Sequence, residues 1–310
     1  MHRVIQSFLA FALLALTACY TNPVTGRRSL VLLSQGEEVT LGQQSFSDIR
    51  KKEKVSTDPA YNARVTRIGQ RIAQAVGNEL PDAKWEFVVF DSPELNAFAL
   101  PGGKVGVYTG LLKLAENDAE LATVMGHEIG HVIARHGAER MSEALLISGL
   151  GEVAGAVVEA KTDTGNRQLF DLAYGGLATV GRVLPHSRNN ESEADRMGAV
   201  YAARAGYDPR AAITFWQKMV SQKQASEKGG GKASSVSALL STHPADEKRI
   251  SDLKALMPQV VPLYEANRAR FRDGPSSTPP ATPASKAAPA ATAVPTSPAT
   301  PAKALAPRRP

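Results

Sequence analysis

The order of apolar and polar positions divides the chain into helical and strand-like blocks. Residues 35–52 and 58–77 carry apolar side chains at helical spacing, and Asp58-Pro59 opens the second block with a cap and a first-turn proline. WEFVVFDS (85–92) alternates with a period of two, as a half-buried strand does. NAFALPGGKVGVYTG (96–110) follows as a ribbon broken at Pro101-Gly102-Gly103. From Asn117 onward the spacing predicts helices over 117–136, 138–160, 190–205, 208–222 and 244–272, the last broken near Pro258. The expected fold is therefore α+β, mostly helical with one small β-sheet. QASEKGGGKASSV (224–236) reads as a flexible loop. ALLISGLGEVAGAVV (144–158) is apolar on nearly every side but too short to span a bilayer, and reads as a core or interface helix.

Both ends depart from this pattern. Residues 1–18 have a basic start and then an apolar run of signal-peptide length, closing in Leu16-Thr17-Ala18-Cys19. That tetrapeptide resembles the bacterial lipoprotein cleavage signal, which implies lipidation of Cys19 and a membrane anchor of two or three acyl chains. By analogy with lipoprotein sorting, Tyr20 favours the outer membrane, facing the periplasm. Residues 19–34 then form a linker from the anchor to a domain at 35–273. The segment 274–310 holds 10 of the 20 prolines and no acidic residue. It cannot bury enough apolar surface to offset its chain entropy and reads as a disordered Pro/Ala-rich tail.

Composition changes the picture in two places. Cys19 is the sole cysteine, so the domain forms no internal disulfide. The net charge of +6 comes from the ends: Arg3 with Lys286, Lys303, Arg308 and Arg309 are five of the 36 cations, leaving 31 against 30 acids. The charge balance of the domain thus gives no case for nucleic-acid binding.

The candidate chemistry lies in TVMGHEIGHVIARHG (123–137). His127 and His131 are four apart, one turn above the other on a helix, and both imidazoles can reach one ion. Glu128 projects beside that ion, where a carboxylate can take a proton from water and later pass it to a leaving amine. A third ligand must come from elsewhere, since a metzincin arrangement needs a glycine and a histidine where Ala134 and Gly137 stand. SRNNESEADRMG (187–198) offers Glu191, with Asp195 one turn on and able to accept the second ring N–H of a ligand histidine. A capped helix also carries acids in its first turns for the sake of its dipole alone, so spacing leaves both accounts open.

HEIGHVIARH, SRNNESEAD and STHPADEKRI together resemble the zinc peptidase family that includes the CAAX prenyl proteases and the bacterial HtpX proteins. With the lipoprotein signal and NPVTGRRSLVLLS, the resemblance narrows to its periplasmic lipoprotein branch, LoiP- and BepA-like, over roughly residues 19–272. It implies a zincin-type (gluzincin) domain with one zinc per chain, held by His127, His131 and Glu191. Glu128 becomes the general base and Asp195 a support behind a ligand. Asn96, Ala97, Phe98 and Ala99 match the family's edge strand, beside which a substrate backbone can pair. His243 and Arg249 lie over the active site, His243 donating to the oxyanion or holding a latent zinc site, and Arg249 on the substrate side. His136 and His186 are read as structural. The implied function is an envelope endopeptidase acting on unfolded or misassembled envelope proteins. The alternative is a chaperone-like outer-membrane assembly factor with a structural or regulatory metal, in contact with the assembly machinery.

Overall fold

A computed structural model describes residues 19–150, 170, 173, 174, 187–228, 239, 240, 243 and 247–271. The expected signal peptide, His186, the tail, and most of the loop at 224–236 and of the apolar stretch at 144–158 lie outside these residues.

Helix α1 (Gln35–Lys52) starts on a capping box: the Ser34 hydroxyl accepts from Glu37 N and the Glu37 carboxylate accepts from Ser34 N. Helix α2 (Pro59–Val76) is capped by Asp58, which accepts from Ala60 N and Tyr61 N at 2.8 and 3.2 Å. Strands β3 (Glu86–Phe90), β4 (Ala97–Leu100) and β5 (Lys104–Tyr108) make a sheet in the order β3-β5-β4. The β4–β5 ribbon is antiparallel as expected, while β3 pairs with β5 in parallel. Gly102 and Gly103 supply the positive φ of 85° and 79° that the ribbon turn needs.

Alternation along β4 divides the core. Ala97 and Ala99 join Val65, Ile68, Val105 and Val107 on one face. Phe98 and Leu100 join Phe46, Phe90 and Tyr108 on the other. Gly106 is open because the Phe98 ring lies across it; a Cβ there would come within 2.4 Å of that ring.

A short helix α3 (Thr109–Leu114) leads to α4 (Asp118–Ile133), capped by Asn117. Then come α5 (His136–Leu150), α6 (Arg188–Arg204), capped by Ser187, α7 (Ala211–Lys228) and α8 (Glu247–Asn267). The α4–α6 pair packs backbone to backbone. A Cβ on Gly198 would stand 2.7 Å from His127 N, and one on Gly126 would stand 3.0 Å from Gly198 O. Small residues at this crossing bring the start of α6 against the histidines of α4.

Two sequence expectations change here. Helix α8 runs through Pro258 and Pro262 without a break. Both prolines are exposed and four apart, so the carbonyls deprived of a partner face solvent, where water can satisfy them. The expected linker, in turn, contains a built hairpin, a second small sheet. Strand β1 (Cys19–Thr21) pairs antiparallel with β2 (Arg28–Leu30), closed by Gly26 at φ 72°. It is docked by the Tyr20 hydroxyl donating to Ile133 O at 2.6 Å and by Asn22 Nδ2 donating to Glu193 at 2.8 Å. Three-residue strands with polar neighbours give no alternation long enough to read in the sequence.

Candidate metal centre

The helical spacing of His127 and His131 places their Nε2 atoms 3.0 Å apart, both buried. From the first turn of α6, Glu191 enters between them with its carboxylate fully buried: Oε2 is 3.4 Å from His127 Nε2 and Oε1 is 3.3 Å from His131 Nε2. A helix N-terminus favours an anion at this point. His243 closes the group, its Nδ1 standing 3.2 Å from Glu191 Oε1 and 3.4 Å from His127 Nε2.

Ligands 2.0–2.1 Å from one ion at tetrahedral angles stand roughly 3.3–3.4 Å apart. His127 Nε2 stands 3.0 to 3.4 Å from the other three residues, and Glu191 Oε1 stands 3.3 and 3.2 Å from His131 and His243, spacings of that size. Three imidazole nitrogens and one carboxylate also form a donor set suited to zinc. Glu191 Oε2 lies 2.8 Å from Arg249 Nη1 yet is aligned with no hydrogen-bond donor, so a lone pair remains for an ion. The residues fit a metal.

Asp195, one turn beyond Glu191, accepts from His127 Nδ1 at 2.9 Å. With the proton on Nδ1, His127 presents the lone pair of Nε2 to the group. Asp195 also accepts from Trp216 Nε1 at 3.2 Å and from Arg249 Nε and Nη2, each at 2.7 Å. Burial raises the Asp195 carboxyl pKa, but Arg249 and His127 prevail and hold it below its ordinary value. Glu191 is opposed by burial in the same way and held well below the carboxylate range by His243, His127 and His131. Burial dominates at Glu128 and raises its pKa, with the His243 ring countering; Glu128 Oε1 lies 3.6 Å from His243 Nε2.

The structure thus brings together His127, His131, Glu191, His243 and Asp195, with Glu128 at the rim. Arg249 differs from its expected place. It is 2 % exposed, stacked 4.0 Å over the Trp216 ring, and spans Asp195 and Glu191 beside the centre, with its charge turned to these two acids. The family pattern gives its position along the chain; the acids it pairs with give its direction.

Asn96 precedes β4, which is the edge of its sheet and packs along α4, and Asn96 O accepts from Tyr108 N at 3.0 Å. The side chains of Ala97, Phe98 and Ala99 are buried in the core, so only the outer backbone of β4 can meet a ligand.

His136 is the residue that sequence reasoning set aside. Its Nδ1 lies 2.8 Å from His131 Nδ1. On one continuous helix the two would diverge by about 140°. Arg135 takes a positive φ of 57° between α4 and α5 and turns His136 back. It is held there by Glu38, by Leu33 O at 2.6 Å and by the Tyr20 ring. No local signal in the sequence announces a left-handed arginine.

Among the described residues no helix is long and apolar enough to cross a membrane. Residues 59–257 match Peptidase family M48. The mitochondrial metalloendopeptidase OMA1 of Saccharomyces cerevisiae is 32% identical over 78% of this chain and 70% of its own length. The OMA1 protein of Arabidopsis thaliana is 41% identical over 67% of this chain and 39% of its own. The Beta-barrel assembly-enhancing protease of Escherichia coli is 29% identical over 81% of this chain, which spans half of that protein. With the His-Glu-x-x-His helix facing a buried glutamate, this match over most of the domain shows that the chain is a metallopeptidase of family M48.

Proposed function

We propose that the chain is a zinc-dependent endopeptidase of a bacterial cell envelope, anchored through an acylated Cys19 to the outer membrane and facing the periplasm. Its substrates are unfolded or misassembled envelope proteins. One observation carries the chemistry: His127, His131, Glu191 and His243 converge within 4.8 Å of one another, with Glu128 alongside. The envelope setting rests on the signal-like residues 1–18, the lipoprotein-type Leu16–Cys19 and the bacterial relative's name, while other relatives are mitochondrial by name.

His127, His131 and Glu191 would hold the ion, and zinc there supplies Lewis acidity that makes water easier to deprotonate and a carbonyl easier to attack. Glu128, its basicity raised by burial, takes the proton of the attacking water on its carboxylate and gives it to the departing amine nitrogen. Asp195 keeps His127 in the tautomer whose Nε2 is free to ligate. The outer edge of β4 can take the substrate backbone as an added strand. His243 Nδ1, 3.2 Å from Glu191 Oε1, could hold the ion in place of water, and its ring would then have to move aside for water to enter.

The test uses an unfolded outer-membrane β-barrel precursor and the full chain. Cleavage should stop with 1,10-phenanthroline and return with zinc, and Cys19→Ser should shift the protein from the membrane to the soluble periplasmic fraction. Cleavage that persists under chelation would remove the metal mechanism, and an unchanged fractionation would remove the anchor.

Metal uptake itself should release a proton. Burial opposes charge on His127, but Glu191 and Asp195 outweigh it and push its pKa up to about 10, so at pH 7.5 the metal-free ring carries a proton on both nitrogens. Zinc requires the neutral ring, so binding must expel one of the two. Calorimetry in buffers of differing ionisation enthalpy should return about one proton per zinc; a value of zero would mean that His127 is already neutral.

A further inference from the structure

Behind the two ligand histidines stand different supports. His127 is held by a carboxylate, Asp195, whereas His131 is held by a second imidazole. That imidazole, His136, is fully buried, and its Nε2 lies 2.9 Å from Glu193 Oε2. Glu193 in turn sits among donors from the N-terminal hairpin: Asn22 Nδ2 at 2.8 Å, the Thr25 hydroxyl and Arg27 Nε. The Arg27 guanidinium also bridges to Glu139 through Nη1 and Nη2 at 2.7 and 2.8 Å.

Proton counting fixes the direction of this chain of bonds. A carboxylate only accepts, so His136 Nε2 carries a proton toward Glu193. Two Nδ1 atoms 2.8 Å apart share one proton, and a neutral His136 protonated at Nε2 accepts through Nδ1. The proton between the rings is then on His131 Nδ1, which leaves the lone pair of His131 on Nε2, the atom facing Glu191 and His127. We propose that His136 is a positioning residue that sets the ligating tautomer of His131, and that Glu193 and the hairpin residue Arg27 hold His136 in that role. The inference rests on the reading of His131 as a metal ligand. It joins the hairpin to the metal centre through four side chains: Arg27, Glu193, His136 and His131.

The two amide replacements of His136 separate this role from packing. In His136→Asn the amide oxygen can sit near the former Nδ1 and still accept from His131. In His136→Gln the amide lies nearer the former Nε2 and serves Glu193 instead. The measurement is zinc affinity of the full chain by competition with a chromophoric chelator, paired with the visible absorption of the Co2+ form. His136→Gln should weaken zinc binding roughly 10- to 100-fold and alter the Co2+ bands, while His136→Asn stays within about threefold of wild type. Arg27→Met and Glu193→Gln should lower the affinity in the same direction.

Equal zinc affinity in wild type, Asn and Gln variants would overturn the proposal. So would equal losses in both that track an equal fall in the metal-free melting temperature. If neither His136 variant folds, Arg27→Met and Glu193→Gln decide, and unchanged affinity in both overturns it. Wild-type protein that binds no zinc, or a His131→Ala variant that binds it normally, would instead remove the metal-centre reading itself.

Discussion

Glu128→Gln should lower kcat on an unfolded protein substrate by roughly 10²- to 10⁴-fold, the range that positioned acid–base groups contribute. Bound zinc should be unchanged. The glutamine keeps the size of the side chain, and none of the contacts among His127, His131, Glu191 and Asp195 involves Glu128. Only the ability to take a proton is lost. Because burial already lifts the Glu128 pKa, a variant that keeps the buried site intact isolates that one function. The same variant separates the two function classes weighed above. An assembly factor with a structural metal would keep its partners and its cellular effect in Glu128→Gln, and full cleavage by that variant would end the proposed mechanism.

Arg249→Leu should be the most damaging single change for stability. The guanidinium compensates two buried carboxylates, bonding Asp195 through Nε and Nη2 and pairing with Glu191 through Nη1. Removing one partner from a buried ionic cluster costs about 3–5 kcal/mol, because only His127 and the neighbouring histidine rings are then left to balance two carboxylates that are out of reach of water. Arg249→Lys should recover only part of the loss, since one ammonium cannot make the forked contact.

The effect has a pH signature with a definite sign. Asp195 and Glu191 have folded-state pKa values below their ordinary ones, so the stability they confer is present above about pH 4. It is lost as pH falls through the folded values. The gap between wild type and Arg249→Leu, read from denaturant midpoints of the metal-free proteins, should therefore be largest at pH 6–8 and shrink in acid. A gap that stays constant down to pH 3 would mean that Arg249 acts through packing on Trp216 rather than through charge.

How far the sequence alone leads depends on the range over which each feature is specified. Helix α1 and the start of α2 are written locally, in Ser34 with Glu37 and in Asp58-Pro59, and the structure has both where the pattern puts them. The facing of His127 and His131 is equally local, a matter of four residues on one helix. Glu191 is sixty residues further on, and spacing offers it only as one of two accounts of an acidic helix start. Its arrival at the histidines depends on Gly126, Gly130 and Gly198 at a helix crossing, a feature with no signature in either helix read alone. The parallel pairing of β3 with β5, the inward turn of Arg249 and the backward turn at Arg135 are tertiary facts. Each is imposed by partners far away in the chain. His136 stands one place off the third-histidine position of a metzincin and so reads as structural; the left-handed Arg135 beside it brings its ring against His131.

The hairpin at the N-terminus bears on how such an enzyme would work. Cys19 is exposed and is itself the first residue of β1, whose register places it opposite Leu30. One residue later Tyr20 is already bonded to the end of the metal-binding helix. An extended residue reaches only about 3.3–3.6 Å. If Cys19 carries the proposed acyl chains, there is no leash between lipid and enzyme. The peptidase would then be held close to the bilayer through a folded strand and not on a flexible tether, and would meet chains presented near the lipid surface before chains free in solution. Selection would then be partly by address: a protein stalled at the membrane would be cut in preference to the same protein free in solution.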